Sequence, residues 1–230
     1  MKIFLDTSDV DIIRKHCETG LIDGVTTNPT LMMQAGRDSV EVIKEISSLF
    51  PEYASISAEV VGDTAEEMVL QSKDYYSISE NITIKVPCTY EGLKACRELS
   101  KKNINVNVTL IFSLNQSILA AKSGAKYISP FIGRCEDKNI NGIELISSIK
   151  KVFKSNNEYN HYPHPDHIST KILAASIRNI DHINESFKAG ADIVTLPPKI
   201  FEEMYKHSLT DQGLEQFNYD WKKLNLKINS

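Results

Sequence analysis

The chain has 230 residues, of which 41% are hydrophobic and 24% charged, so it can bury a full core; the length is about right for one closed barrel of alternating strands and helices. A formal charge of −4 gives no reason to expect nucleic acid or an anionic membrane as partner, and no apolar run approaches the roughly 18 residues of a membrane helix. Met1–Thr7 enters a strand-like pattern with no signal-peptide h-region, and Cys17, Cys88, Cys96 and Cys135 are scattered without a Cys-x-x-Cys pair, which predicts reduced thiols in the cytoplasm.

In chain order the strand candidates are Lys2–Asp6, Ile22–Thr26, Ser55–Val60, Ile82–Val86, Ile104–Ile111, Ala125–Phe131, Lys171–Ser176 and Ala191–Leu196. Helix-like segments separate them. Ser8 precedes an apolar stripe of Val10, Ile13 and Cys17; Val40, Ile43, Ile46 and Phe50 mark a second face; Ser113-x-x-Gln116 has the form of a capping box. Eight strands alternating with helices predict one parallel α/β unit over residues 1–230. Gly20, Gly124 and Gly190 recur between a helix end and the next strand, each suited to the left-handed conformation, and a repeated junction favours a barrel over an open sheet. Two segments fall outside the eight units. Ser155–His167 reads as a polar loop carrying His161, His164 and His167, and Thr210 can cap a last helix over about 210–225. That helix carries Leu214, Phe217, Trp221 and Leu224, a stripe that must dock on its own barrel or on a neighbouring subunit.

In a barrel, strand residues alternate between lumen and helix layer. With the aliphatic parity outward, the inner set is Phe4 and Asp6; Gly24 and Thr26, running on to Asn28; Ser55, Ser57 and Glu59; Thr83 and Lys85; Asn105, Asn107 and Thr109; Tyr127, Ser129 and Phe131. Singly, Asp6 or Asn28 could cap a helix, Glu59 could be a solvated strand end, and Ser57 or Asn105 could satisfy backbone groups. Together, polar groups accumulate at the last inward positions of strand after strand, where barrel enzymes keep their active sites.

Lys85 lies near the end of the strand that Pro87 closes, and is either a guard against sheet-edge pairing or a buried amine placed for chemistry. A neutral lysine can attack a carbonyl and form a Schiff base, an electron sink. With an ordinary pKa of about 10.4, only about 0.04% of a lysine is neutral at pH 7. Burial favours the neutral amine and a nearby carboxylate opposes it. Lys85 as nucleophile and Glu59 as its close ion-pair partner therefore compete, and catalysis calls for a Glu59 that moves protons, by way of water, without clamping the amine.

Gly24-Val25-Thr26-Thr27-Asn28-Pro29-Thr30-Leu31 and Ile84-Lys85-Val86-Pro87-x-Thr89-x-Glu91-Gly92-Leu93 resemble the two signatures of the transaldolase family, in its short transaldolase and fructose-6-phosphate aldolase-like branch. The likeness continues through Phe4–Thr7, Ser57–Val60, Asn107–Leu110, Ser129–Arg134, Ala174–Arg178 and Ala189–Ile193. It implies a (β/α)8 TIM barrel with an extra C-terminal helix and class I aldol chemistry needing neither metal nor organic cofactor. By that resemblance Lys85 would form the Schiff base with a ketose phosphate. Glu59, through a water held with Thr109, would dehydrate the carbinolamine, and Asp6 would take the C4 hydroxyl proton as C3–C4 breaks. Asn28, Asn107 and Ser129 would hold the dihydroxyacetone unit beside Thr26 and Phe131; Arg134, Ser176 and Arg178 would hold a phosphate. Ser176–Arg178 follow the seventh strand, a common phosphate position in barrels.

The aldolase branch typically has Gln at the Glu59 position and Tyr at the Phe131 position. Glu and Phe here point to transfer of the three-carbon unit, in the pentose phosphate pathway, with sugar phosphates as partners and a homo-oligomer (pentamer or decamer) expected. Thr30 stands where Ser is frequent, and the histidine loop is longer than the family pattern. The rivals are an aldolase releasing dihydroxyacetone, a non-catalytic sugar-phosphate-binding barrel, and a metal-dependent lyase using the histidine loop.

Overall fold

The structure, a computed structural model, describes residues 1–158 and 170–228. Eight strands, β1 (Lys2–Asp6), β2 (Gly24–Thr26), β3 (Ser55–Glu59), β4 (Ile82–Pro87), β5 (Val106–Ile111), β6 (Tyr127–Pro130), β7 (Lys171–Ala174) and β8 (Ile193–Leu196), pair in parallel and in sequence order. β8 returns to β1, closing the barrel. The helices α1 (Val10–Cys17), α2 (Pro29–Ala35), α3 (Ser39–Ser48), α4 (Ala65–Tyr76) and α5 (Tyr90–Lys101) flank the first half. The second half is flanked by α6 (Leu114–Lys122), α7 (Ile132–Glu136), α8 (Gly142–Glu158), α9 (Ile180–Lys188) and α10 (Pro198–Glu203), with α11 (Ser208–Ile228) following. The expected (β/α)8 barrel with an extra C-terminal helix is what forms.

Two apolar clusters result from the alternation. Outward residues such as Ile56, Ile84, Val86, Val106 and Val108 pack against helix residues including Ile43, Met68, Cys96 and Leu99. Each such fully buried aliphatic side chain contributes roughly 1.5–3 kcal/mol. Inside the barrel, Phe4, Tyr127, Leu173, Ala175 and Ile193 form a separate cluster, with the Phe4 and Tyr127 rings edge to face at 6.3 Å. This is a floor. Above it the register brings Asp6 beside Thr26, Thr26 beside Ser57, and Glu59, Lys85 and Asn107 into one row.

Several strands are shorter than the apolar runs predict. Ile22 and Ile104 precede their ladders yet still pack on the outer core, so hydrophobicity extends one turn beyond the paired backbone. In β5 the alternation itself breaks. Leu110, expected outward, takes φ +58° and the register with β6 shifts between Val108 and Ile111. This bulge sits directly after Thr109, where barrels commonly re-aim a side chain near a site. The glycines at the helix–strand junctions behave as expected, with φ of +68°, +94° and +103° at Gly20, Gly124 and Gly190.

Helix starts differ in detail. Asp9, not Ser8, caps α1, accepting from the backbone of Asp11 and Ile12, while the Ser8 hydroxyl donates to Leu31 O. Ser113 caps α6, but the Gln116 side chain reaches past it to Phe112 N; the full capping box is Thr64 with Glu67 on α4. The last helix begins before Thr210, because the His207 ring accepts from Leu209 N and its carbonyl from Thr210 and Asp211. Its Leu214, Phe217, Trp221 and Leu224 are all exposed, so they do not use the barrel's own flank as cover. Among the described residues no helix is long and apolar enough to cross a membrane. The stretch with His161, His164 and His167 lies outside the described residues.

Candidate active site

The C-terminal ends of the strands converge on one polar cavity of about 110 Å³, lined by Asp6, Thr26, Asn28, Lys85, Ser129, Phe131, Arg134, Ala175, Ser176 and Thr195. Lys85 is 5% exposed, held on β4 between Glu59 of β3 and Asn107 of β5. Its Nζ lies 2.8 Å from Glu59 Oε2 and donates to Thr27 O at 3.0 Å. The contact with Glu59 is direct, with no space for a bridging water. Of the two readings left open by the sequence, this is the close ion pair rather than the water-separated arrangement, because the two side chains meet directly. Ion pair and neutral pair differ by a single proton moved along a 2.8 Å hydrogen bond, so the carboxylate that pairs with the amine is also placed to accept its proton.

Around this pair the lumen is hydrogen-bonded throughout. Ser129 Oγ donates to Asn107 Oδ1 at 2.7 Å, and Asn107 Nδ2 donates to Ser57 Oγ at 3.4 Å. The Thr26 hydroxyl donates to Asp6 Oδ1 at 2.7 Å; its single proton being used, Thr195 must donate to Thr26 across 2.6 Å. Asn28 serves in two ways, lining the cavity and capping α2 through Oδ1 to Leu31 N. Thr109 Oγ1 is the exception: a buried hydroxyl without a protein hydrogen-bond partner among the described residues.

Asp6 lines the cavity, and among the described residues no cation contacts it directly. Burial raises its carboxyl pKa above the ordinary aspartate value; the charge of Lys85, the Thr26 hydrogen bond and the charge of Arg134 pull it back, in that order, without cancelling the rise. A carboxylate easier to protonate than usual is suited to take a proton from a substrate hydroxyl.

Arg134 lies over the Phe131 ring at 5.0 Å, and Phe131 is braced edge-on by Phe112. Ser176, with φ +58°, lines the cavity beside it. Arg178 is different: it does not line the cavity, and both arms of its guanidinium are taken by Asp137, at 2.5 Å each. The structure therefore groups Asp6, Thr26, Asn28, Lys85, Ser129, Phe131, Arg134 and Ser176 around the cavity, sets Glu59 and Asn107 level with Lys85 and Thr109 one inward position farther on, level with Pro87, and leaves Arg178 at the rim. Thr27, Thr195 and Asp137 were not expected. Carrying the strand alternation on to Ile193–Leu196 finds Thr195 at an inward position; Thr27 acts through its carbonyl and Asp137 through a long-range contact, neither of which leaves a pattern in sequence. Among the described residues no group of three or more His, Cys, Asp or Glu is arranged to hold a metal.

A barrel with a lysine-centred polar mouth is shared by many enzymes, and comparison with known proteins narrows it. By fold alone, the chain resembles a cube-shaped, highly porous protein cage designed by fusing symmetric oligomeric domains, with TM-score 0.59 at 13% identity over 99% of this chain and 79% of that one. The family model for transaldolase/fructose-6-phosphate aldolase matches residues 3–228. The chain is 48% identical to a probable transaldolase of Paracoccus denitrificans over 228 residues, covering 99% of this chain and all of the relative. A probable transaldolase of Caldicellulosiruptor saccharolyticus is 49% identical over 224 residues, covering 97% and 98%. The chain belongs to the transaldolase/fructose-6-phosphate aldolase family.

Proposed function

We propose that this enzyme is a transaldolase, moving a dihydroxyacetone unit from a ketose phosphate (sedoheptulose 7-phosphate or fructose 6-phosphate) to an aldose phosphate (glyceraldehyde 3-phosphate or erythrose 4-phosphate), in the pentose phosphate pathway. The observation that carries the reading is the 2.8 Å contact between Lys85 Nζ and Glu59 in a closed lumen beside Asp6. Glu59 takes a proton from Lys85, and the free amine attacks C2 of the ketose to give a carbinolamine. Glu59 then returns a proton to the departing hydroxyl, assisted by a water on Thr109, and the iminium forms. Asp6 accepts the C4 hydroxyl proton as C3–C4 breaks, leaving the first aldose phosphate and an enamine on Lys85. Asn28, Asn107, Ser129 and Thr26 hold the three-carbon unit, while Arg134, Ser176 and Arg178 attend to the phosphate. Addition of the acceptor aldehyde and hydrolysis of the iminium restore Lys85.

Transfer rather than release is supported by Phe131, whose ring has no acidic proton to give the enamine and is already engaged with Arg134. The exposed stripe on α11 supports a homo-oligomer in which it reaches a neighbouring subunit, and four unpaired cysteines suit a cytoplasmic enzyme. Borohydride reduction with fructose 6-phosphate should add one three-carbon mass to Lys85, and without acceptor little free dihydroxyacetone should appear. No adduct on Lys85 refutes the Schiff-base reading; rapid release of dihydroxyacetone assigns the enzyme to the aldolase branch instead.

A further inference from the structure

The connection from β7 to α9 is fastened to α7 at three points. The first is a backbone pair: Ile132 N donates to Ala175 O at 2.9 Å and Gly133 N to Ser176 O at 3.1 Å. His182 Nδ1 accepts from Arg178 N at 3.3 Å, which fixes the ring proton on Nε2, and Nε2–H donates to Glu136 Oε2 at 2.9 Å. Third, the two Asp137 oxygens take the two arms of Arg178. The arginine lies across α7 at Gly133, where any Cβ would stand 2.5 Å from Arg178 Nε. Its fork is thus aimed and already filled.

We propose that Asp137 is a tethered competitor for the substrate's phosphate: it holds the Arg178 fork in the free enzyme, yields it to the incoming phosphoryl group, and takes it back as product leaves. The inference rests on the reading of Arg178 as a phosphate ligand. A carboxylate and a phosphate offer a guanidinium the same two-oxygen edge, so one fork cannot grip both with two arms. Arg178 and Asp137 side chains are 47% and 50% exposed, so Asp137 rehydrates readily when displaced. The cations act on Asp137 together: the Arg178 hydrogen bond first, then the charges of Arg178, Lys138 and Arg134, keep its carboxyl below the usual range. Competition of this kind lowers Arg178's affinity for every outside anion by one factor. The enzyme thereby avoids retaining the phosphorylated product.

The test is titration calorimetry with inorganic phosphate at fixed ionic strength on the full chain, as wild type, Asp137→Asn, Asp137→Ser, Arg178→Ala and the Asp137→Asn/Arg178→Ala double variant. Both Asp137 variants should bind phosphate roughly two- to fivefold tighter than wild type. Their KM for a phosphorylated acceptor should fall in step, while that for an unphosphorylated aldehyde stays unchanged. The gain should vanish in the double variant. Equal or weaker binding in the Asp137 variants overturns the proposal, being the sign expected of a carboxylate that merely supports Arg178. A gain that survives without Arg178 also overturns it, since a general field effect would then suffice. Arg178→Ala binding phosphate like wild type would instead remove Arg178 from the phosphate site, a separate failure.

Discussion

Two cation–carboxylate pairs stand at the same end of this barrel, and they are opposites. Lys85–Glu59 is 2.8 Å long with side chains 6% and 13% exposed; Arg178–Asp137 is shorter and two-armed, yet half in solvent. Distance alone would rank the exposed pair as the stronger. Desolvation reverses that ranking for what each pair does when one partner is lost. Removing a partner from the buried pair strands a charge in the lumen, whereas either member of the exposed pair simply rehydrates. The buried pair is fit to pass a proton between fixed groups, and the exposed one to be exchanged for another anion.

Glu59→Ala should show the contrast at its largest. It should cost about 3–5 kcal/mol in denaturant unfolding by leaving Lys85 uncompensated, while Asp137→Ala should leave the midpoint essentially unchanged. Equal effects from the two would abolish the distinction. Next comes Asp6, a carboxylate between the two extremes, half-buried and with no contacting cation among the described residues. Its pKa is raised in the folded state, so the native protein binds more protons than the unfolded chain between the two values, and stability falls as pH rises through that window. Asp6→Asn should therefore melt higher than wild type at pH 7, with the advantage disappearing below the ordinary aspartate pKa of 3.8, and should lose roughly 10²–10⁴-fold in turnover. A variant that melts lower at pH 7 would mean Asp6 is net stabilised by Lys85. The smallest effect is that of salt. Raising ionic strength from about 0.1 to about 1 M shortens the screening length from about 10 to about 3 Å. Phosphate affinity should weaken severalfold, while borohydride trapping of dihydroxyacetone on Lys85 should not change.

Much of this was legible in the sequence because a lumen has a period of two. Ile82, Ile84 and Val86 alternate with Thr83 and Lys85, and the same logic on β3 and β5 places Glu59 and Asn107 beside the lysine from the sequence alone. Periodicity fails where the backbone departs from it. Nothing in Asn-Val-Thr-Leu-Ile announces that Leu110 will adopt a left-handed φ, because a leucine gains nothing there locally and the bulge is imposed by pairing with β6. Distances were equally hidden. Adjacent strand positions allow Glu59 to meet Lys85 directly or through water, and only side-chain packing decides. Asp137 and Arg178 are separated by 41 positions and join through the fit of α7 to the β7 loop, which no short motif encodes. The start of α11 shifted because His207, a poor capping residue on propensity, caps through its ring.

The floor of Phe4, Tyr127, Leu173 and Ile193 has a kinetic meaning. An apolar plug shuts the cavity toward the strand N-termini, leaving the mouth at the strand C-termini as its door. In a two-substrate transfer on Lys85 the first aldehyde has to clear that door before the second can pass. For the transfer proposed above, that order would be ping-pong.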